Sequence, residues 1–160
     1  MQLSKRCEYA LRALIDLGIA HDQWRAVLPI RELAAHEELP VKFLEQILLQ
    51  LKEAGYLTST RGKSGGYALR KRMSQIQMGD VVRLVDGPLA PIHCVSKTAY
   101  APCTCPDEAH CGLRMLMQNV RNAVSDILDG ATLADVVGGT LKRLRRDRVA
   151  LPFAARVARR

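Results

Sequence analysis

The sequence predicts a mainly α-helical fold with a small β-hairpin wing, made of a winged helix-turn-helix unit and a long dimerisation helix. Two helical patterns at 30–37 and 41–54, separated by a short break, are typical of a helix-turn-helix. Two β-prone segments flank a basic, glycine-rich tip at 61–66, which predicts a hairpin directly after these helices. A heptad-spaced apolar stripe at 112–128 predicts a helix that packs against a partner helix.

The first half of the chain supplies the helices of the winged unit. Ser4 is placed to cap a first helix that runs to about Ala20. Pro40 suits the first turn of the third helix, and Gly55 is a suitable C-cap at its end. Helical spacing predicts the buried stripe of this third helix: Val41, Leu44, Ile47, Leu48 and Leu51.

The second half divides into a short helix, a long loop and two further helices. The short helix at about 78–85 closes the winged unit, and the loop that follows has four prolines, four cysteines and no periodicity. Gly130 ends the long helix, and Thr132 opens the last one with Asp135 in a capping-box position. The predicted domains are the winged unit, the cysteine-rich loop, the dimerisation and C-terminal helices, and a basic, disordered tail: 1–86, 87–111, 112–145 and 146–160.

The positive charge of the chain is concentrated at its C-terminal end. The net charge is +8, and residues 142–160 carry eight Lys or Arg against Asp147 alone, which leaves about +1 for the rest. A high pI is therefore weak support for DNA binding, which needs a local basic patch. Aromatic residues are only 4% of the chain, which argues against stacking on single-stranded nucleic acid.

Several classes of protein are disfavoured by what the sequence lacks. No segment approaches the roughly 20 apolar residues of a membrane span, and the first helix is amphipathic rather than a signal sequence. A cytoplasmic protein without a membrane partner is expected, and its five cysteines then favour metal, cluster or redox roles over structural disulfides. Without a C-x2-C pair or a nucleotide-binding glycine motif, we expect no enzyme and no small-molecule substrate.

The candidate DNA-binding residues lie on the third helix and on the wing. The exposed positions of the third helix include Gln46, which can pair with adenine, and Glu45, which can accept a hydrogen bond from cytosine. The wing segment 61–72 has five basic residues and no acid, and its glycines permit close approach or a positive φ. The predicted contacts to double-stranded DNA are Lys42, Phe43, Glu45, Gln46, Arg61, Gly62, Lys63 and Gly65.

The cysteine spacing is C-x8-C-x-C-x5-C, from Cys94 through Cys103 and Cys105 to Cys111. It contains no C-x2-C pair, which argues against a zinc finger or ribbon. Thiolates in a loop suit an iron–sulfur cluster, whose potential and stability depend on its exposure.

Four stretches and the cysteine loop carry a family resemblance. The stretches are SKRCEYALRALIDLG, FLEQILLQLKEAGYLTSTRGKSGGYAL, GDVVRLVDG and TLADVV, with R-G-x-x-G-G in the wing as the most specific. Over residues 1–137 the chain resembles the IscR/NsrR/RirA family of bacterial winged-helix regulators. The resemblance implies a homodimer and an iron–sulfur cluster, with 2Fe–2S favoured and 4Fe–4S as the alternative. It selects Cys94, Cys105 and Cys111 as ligands and leaves Cys103 as a substitute for Cys105 or a spare thiol.

The fourth ligand differs between members of that family. In IscR-like members a histidine follows the last cysteine by three residues, a place that Arg114 occupies here. In NsrR-like members an acidic residue of the first helix, from the other subunit, completes the site, and Glu8 matches it. The other interpretation of Glu8 is a solvated charge paired with Arg12.

We therefore predict a homodimeric transcription regulator that binds a palindromic operator, and we favour a repressor over an activator. Its cluster would sense nitric oxide, redox state or iron and cluster supply. The alternative is a cluster-free thiol switch of the same fold, in which Cys103, Cys105 and Cys111 form disulfides. A third hypothesis, a protein-interaction adaptor, is distinguished by the salt dependence of DNA binding.

Other residues receive structural interpretations. Cys7 is expected in the core and Trp24 packed over the winged unit, while Glu8, Arg12 and Asp16 are expected together on the solvent face of the first helix. The histidines His93 and His110 are interpreted as loop residues rather than ligands.

Overall fold

A computed structural model describes residues 2–154, and these form six α-helices, one β-hairpin and two 3-10 turns. The elements are α1 (Lys5–Asp22), α2 (Ile30–His36), α3 (Val41–Glu53), β1 (Leu57–Thr60), β2 (Gly66–Leu69), a 3-10 turn (Met73–Gln75), α4 (Met78–Asp86), a 3-10 turn (His93–Val95), α5 (Gly112–Gly130) and α6 (Leu133–Arg146). The predicted fold class is confirmed. Among the described residues, no helix has the length and apolar character needed to cross a membrane.

Helix α1 is the centre of the packing, since it contacts α3, α4, α6 and β2. Ser4 caps it by accepting a hydrogen bond from the Cys7 amide at 3.0 Å, as predicted. The fully buried side chains that surround α1 include Leu33, Leu44, Leu48, Leu57 and Leu133. Burial of a side chain of this size stabilises a fold by about 1.5–3 kcal/mol, so this cluster holds the helix-turn-helix in one arrangement.

The wing is an antiparallel hairpin in which Leu57 pairs with Leu69 and Thr60 with Gly66. A third segment joins it from outside, because Leu28 and Tyr67 exchange backbone hydrogen bonds of 2.9 and 2.8 Å. The wing is therefore bonded to the chain that enters the helix-turn-helix.

Helix α4 connects α3 and α5 through two polar contacts. The Gln50 amide of α3 donates to the Leu84 carbonyl of α4 at 3.1 Å and accepts from Arg6 of α1 at 3.0 Å. The Arg83 guanidinium of α4 holds both carboxylate oxygens of Asp129 in α5, at 2.7 and 2.6 Å. The long helix is thus tied to the helix that bears the predicted DNA contacts.

Helix α5 leaves an apolar stripe uncovered within this chain. Leu113, Leu116 and Ile127 are 56%, 57% and 71% exposed, and Val120 is 39% exposed. An exposed stripe at heptad spacing is typical of a helix that packs against a partner. After Gly130, the last residue of α5, Thr132 and Asp135 form the predicted capping box of α6, which packs on α1.

Four sequence expectations differ from the structure. Val41, predicted in the buried stripe, is 40% exposed at the first residue of α3. Asp16 is buried rather than solvated, because His36 and Glu37 cover that part of α1. Trp24 does not pack over the winged unit: it is 96% exposed at a φ of +61°, in the turn after α1 where the chain reverses.

The fourth difference concerns the segments predicted to lack structure. The cysteine-rich loop contains the 3-10 turn at His93–Val95, which buries Cys94. Within the segment assigned to the basic tail, Leu151 and Phe153 pack against the core. Residues 155–160 of that tail lie outside the described residues.

Candidate nucleic-acid interface and thiol cavity

The side chains of α3 that were predicted to contact DNA lie in its first two turns. Lys42, Glu45 and Gln46 are exposed, while Phe43 is 38% exposed and lies edge-on to the Tyr9 ring with centroids 5.8 Å apart. The contact with Tyr9 fixes the Phe43 ring, so this side chain packs between α1 and α3 while keeping one edge on the surface. The remaining three side chains have the donors and acceptors that base edges require.

A groove of about 620 Å³ lies between the start of α2, the outer face of α3 and the wing. Glu45 of α3 and Arg61, Gly62, Lys63 and Gly65 of the wing line it, so five of the predicted DNA contacts share one surface. Two further cations line the groove, Arg31 of α2 and Lys52 at the end of α3. Four cations around one carboxylate make a positive groove, the electrostatic condition for binding phosphates.

The wing glycines have two different roles. Gly62 has a φ of +109°, a region that side chains rarely adopt, and open space around its missing Cβ. Gly65 and Gly66 do not have a positive φ. Instead, a Cβ would lie 2.3 Å from the Thr60 carbonyl oxygen at Gly65 and 2.1 Å from the Leu28 carbonyl oxygen at Gly66. These two glycines are needed where the backbone of the wing contacts backbone within the protein.

All four cysteines of the loop line one cavity of about 330 Å³. Cys94 enters from the buried 3-10 turn, Cys103 and Cys105 from the loop, and Cys111 from the N-cap of α5. The Sγ atoms of Cys105 and Cys111 are 3.9 Å apart. Thiolates on one metal ion with bonds of about 2.3 Å are separated by roughly 3.8 Å, so this spacing fits two ligands of a shared metal.

Hydrogen bonds among the thiols separate their pKa values. Hydrogen bonds with Cys105 lower the pKa of Cys103, and desolvation raises it. The hydrogen bonds have the larger effect, so the pKa of Cys103 lies below its usual value. The same bond with Cys103, with that to Cys111, raises the pKa of Cys105 to about 12. Desolvation raises the pKa of Cys94. Cys94 and Cys105 therefore lose a proton less readily than an ordinary thiol, and binding of both as thiolates requires a cation.

Sequence motifs predicted no role for Arg114, which the fold places at the thiol cavity. Its guanidinium donates to the Cys94 carbonyl at 3.3 Å and pairs with Glu108 at 3.3 Å, and it lines the thiol cavity. Glu108 in turn accepts from Tyr100 at 3.0 Å. Arg114 therefore joins both parts of the loop to α5 and places a positive charge beside the thiols.

Glu8 is not among the described residues that line this cavity. Its carboxylate pairs with Lys5 at 2.7 Å and Arg12 at 3.7 Å, and the bond to Lys5 lowers its pKa. His93 lines the cavity, whereas His110 turns away to Asp107 at 2.7 Å. Cys7 is fully buried, as predicted, and burial raises its pKa to about 12.

A helix-turn-helix, a basic wing and a positive groove between them define a winged-helix DNA-binding transcriptional regulator. The chain belongs to the Rrf2 family, whose model is described as an iron-dependent transcriptional regulator and matches residues 3–139. Its relatives are named as transcriptional regulators, not as enzymes.

Three similar proteins illustrate the range of that family. An rrf2-like HTH-type transcriptional regulator of Rhodobacter capsulatus is 39% identical over 149 residues, which is 91% of this chain and 99% of the relative. The HTH-type regulator NsrR of Geobacillus kaustophilus is 31% identical, covering 92% of this chain and 99% of the relative. The solved structure of CymR, described as the global cysteine regulator of B. subtilis, has a TM-score of 0.70 and 27% identity, covering 87% of this chain and 98% of that one.

Proposed function

We propose that two copies of this chain form a repressor of a palindromic operator, and that an iron–sulfur cluster held by the thiol cavity controls its affinity for DNA. The observation that carries this proposal is the convergence of four free thiols on one cavity at the start of the dimerisation helix. The expected ligands are Cys94, Cys105 and Cys111, with Cys103 as a substitute and Glu8 of the other subunit as the fourth.

The chain's own residues explain how such a cavity would bind the cluster. When bound, the cluster supplies redox and nitric oxide chemistry and the positive charge that several adjacent thiolates need. Cys111 is fixed by α5, Cys94 by the 3-10 turn, and Arg114 joins these two elements. Loss of the cluster would let Cys94 and Cys105, whose pKa values are raised, take up protons, and would remove the bonds that join the loop to α5.

A continuous set of contacts links the cavity to the DNA-binding helix. Cys111 caps α5, Asp129 at the other end of α5 binds Arg83 of α4, and α4 accepts a hydrogen bond from Gln50 of α3. A change in the loop that tilts α5 is therefore transmitted to α3 in each subunit. Because an operator fixes the distance between two recognition helices, a small tilt changes affinity.

The exposed stripe of α5 is the proposed dimer interface. We expect Leu116→Glu to dissociate the dimer, because a charge would be buried between two apolar helices. Analytical ultracentrifugation measures the mass of the particle in solution. The matched control is Gln118→Glu, which adds the same charge at an exposed position outside the stripe. A wild-type protein that sediments as a monomer would contradict the proposal.

The wing cations are proposed to contact DNA phosphates or the minor groove. We expect Lys63→Ala to weaken binding to an operator selected by the wild-type protein from random duplexes. The slope of log affinity against log salt is expected to fall by about 1. Lys97→Ala removes an exposed lysine that does not line the groove and is the control. Equal salt slopes for Lys63→Ala and the wild-type protein would contradict a contact between Lys63 and DNA phosphate.

The test of the whole proposal compares one protein with and without its cluster. Protein purified without oxygen is analysed for iron and sulfide, and operator affinity is measured at fixed salt before and after removal of iron by a chelator. We expect a change of roughly 5–150-fold, the usual range of allosteric coupling. Equal affinities would refute control by a cluster and leave DNA binding intact.

A thiol switch is the second candidate, favoured by the lowered pKa of Cys103 and by the likeness to CymR. Peroxide would oxidise two thiols to a disulfide, with loss of two protons and two electrons, and would itself be reduced to water. The lowered pKa makes Cys103 the thiol that reacts first with peroxide, and a disulfide of Cys103 with Cys105 can then exchange to Cys105 and Cys111, whose Sγ atoms are 3.9 Å apart. The thiol switch would be favoured if the purified protein is colourless and if peroxide treatment removes two free thiols and the affinity for the operator together.

A further inference from the structure

A second group of metal-binding side chains lies outside the thiol cavity, where α1 meets the end of α2. The Nδ1 atom of His36 is 2.9 Å from Oδ2 of Asp16 and 3.6 Å from Oε1 of Glu37. One ligand atom from each of the three side chains falls within 4.8 Å of the others. The function proposed above uses none of these residues.

The burial of this group distinguishes it from a chance cluster of charged side chains on the surface. The side chains of Asp16 and Glu37 are each 5% exposed, so two carboxylates face each other in a buried position. Arg12 pairs with Oε2 of Glu37, and that oxygen is fully buried. The other oxygen, Oε1, lies 3.6 Å from Nδ1 of His36.

The spacing of the three ligand atoms suits a transition ion. Imidazole and carboxylate ligands about 2.0–2.2 Å from a tetrahedral ion are roughly 3.3–3.6 Å apart. Of the two separations from His36 Nδ1, 3.6 Å is at the upper end of this range and 2.9 Å is below it. A histidine with two carboxylates favours zinc or iron over calcium and magnesium, which prefer oxygen ligands alone.

The group of three side chains is open to solvent at His36, and His36 also contacts the C-terminal segment. The His36 side chain is 41% exposed, which leaves a path for an ion and for a water as the fourth ligand. The ring of Phe153 lies 4.7 Å from the His36 ring and limits its rotation. An ion here would join α1, α2 and the C-terminal segment.

We propose that Asp16, His36 and Glu37 form a binding site for one divalent transition ion, separate from the thiol cavity. An ion at this site would replace the mutual repulsion of two buried carboxylates with attraction. It would fix the first helix of the helix-turn-helix against α1. The thiol cavity and its occupant play no part in this proposal.

The test uses Zn²⁺ and the full chain with Cys94, Cys103, Cys105 and Cys111 replaced by serine, so that thiols do not compete. Isothermal titration calorimetry is expected to show one Zn²⁺ per chain. His36→Gln should weaken binding by at least roughly tenfold, the loss that even groups behind a ligand cause. His21→Gln, which removes an exposed histidine from α1, should leave the affinity unchanged.

A second measurement keeps the wild-type thiols, in case the serine variant does not fold. Wild-type protein and His36→Gln are equilibrated at the same free Zn²⁺ concentration and analysed for bound zinc. We expect the His36→Gln protein to hold one zinc fewer per chain. Equal zinc content, or equal affinity in the titration, would overturn the site.

Discussion

Gly66→Ala is expected to disrupt the wing and abolish binding to the operator. The new Cβ would lie 2.1 Å from the Leu28 carbonyl oxygen and 2.8 Å from the Pro29 nitrogen, and both are backbone atoms that cannot rotate away. The overpacking should cost about 2–3 kcal/mol. Thermal unfolding should show a fall in Tm of roughly 4–12 °C for a chain of this size.

The matched control for this change is Gly139→Ala, on an exposed part of α6. A Cβ at Gly139 meets nothing within 4 Å, and alanine is favoured over glycine inside a helix by about 1 kcal/mol. Its Tm should be unchanged or higher, and its operator affinity should equal that of the wild type. If Gly66→Ala behaves like Gly139→Ala, the wing does not depend on the close backbone contact with Leu28.

Cys111→Ser is expected to remove most of the bound iron and sulfide and the visible absorption of protein purified without oxygen. Cys111 occupies the N-cap position of α5, and its Sγ atom lies 3.9 Å from that of Cys105. A serine hydroxyl is a much poorer ligand for iron than a thiolate. The variant should bind the operator with the affinity of the iron-free wild type.

Two other cysteine variants show whether the loss is specific. Cys7→Ala removes a thiol that is fully buried outside the cavity and should keep the cluster. Cys103→Ser decides between the two ligand assignments: full iron content makes Cys103 a spare thiol, and loss of iron makes it a ligand. Full iron and sulfide in Cys111→Ser would contradict the proposed ligand set.

The sequence predicted those features that depend on local patterns. Helical spacing located α1 to α6 to within about two residues, and capping chemistry placed Ser4, Gly55 and Thr132 correctly. The burial of Cys7 also followed from its place on the apolar side of α1. Each of these features depends only on residues within a few positions along the chain.

The features that the sequence did not reveal depend on contacts between distant segments. Asp16 appears solvated on a helical wheel, and only the packing of α2 buries it. The close approach of Gly66 to Leu28 joins residues nearly 40 positions apart, so a glycine motif alone suggested a contact with DNA. Arg31 joins the groove, and Arg114 the cavity, through the fold rather than through a motif.

The pairing of Leu28 with Tyr67 has a consequence for protein engineering. A chimera that exchanges the hairpin at 57–69 with that of a homologue pairs a foreign strand with the original segment at Leu28, unless the segment before α2 is exchanged as well. The transferable module is therefore discontinuous in the chain, and attempts to alter operator preference by grafting should carry both pieces together.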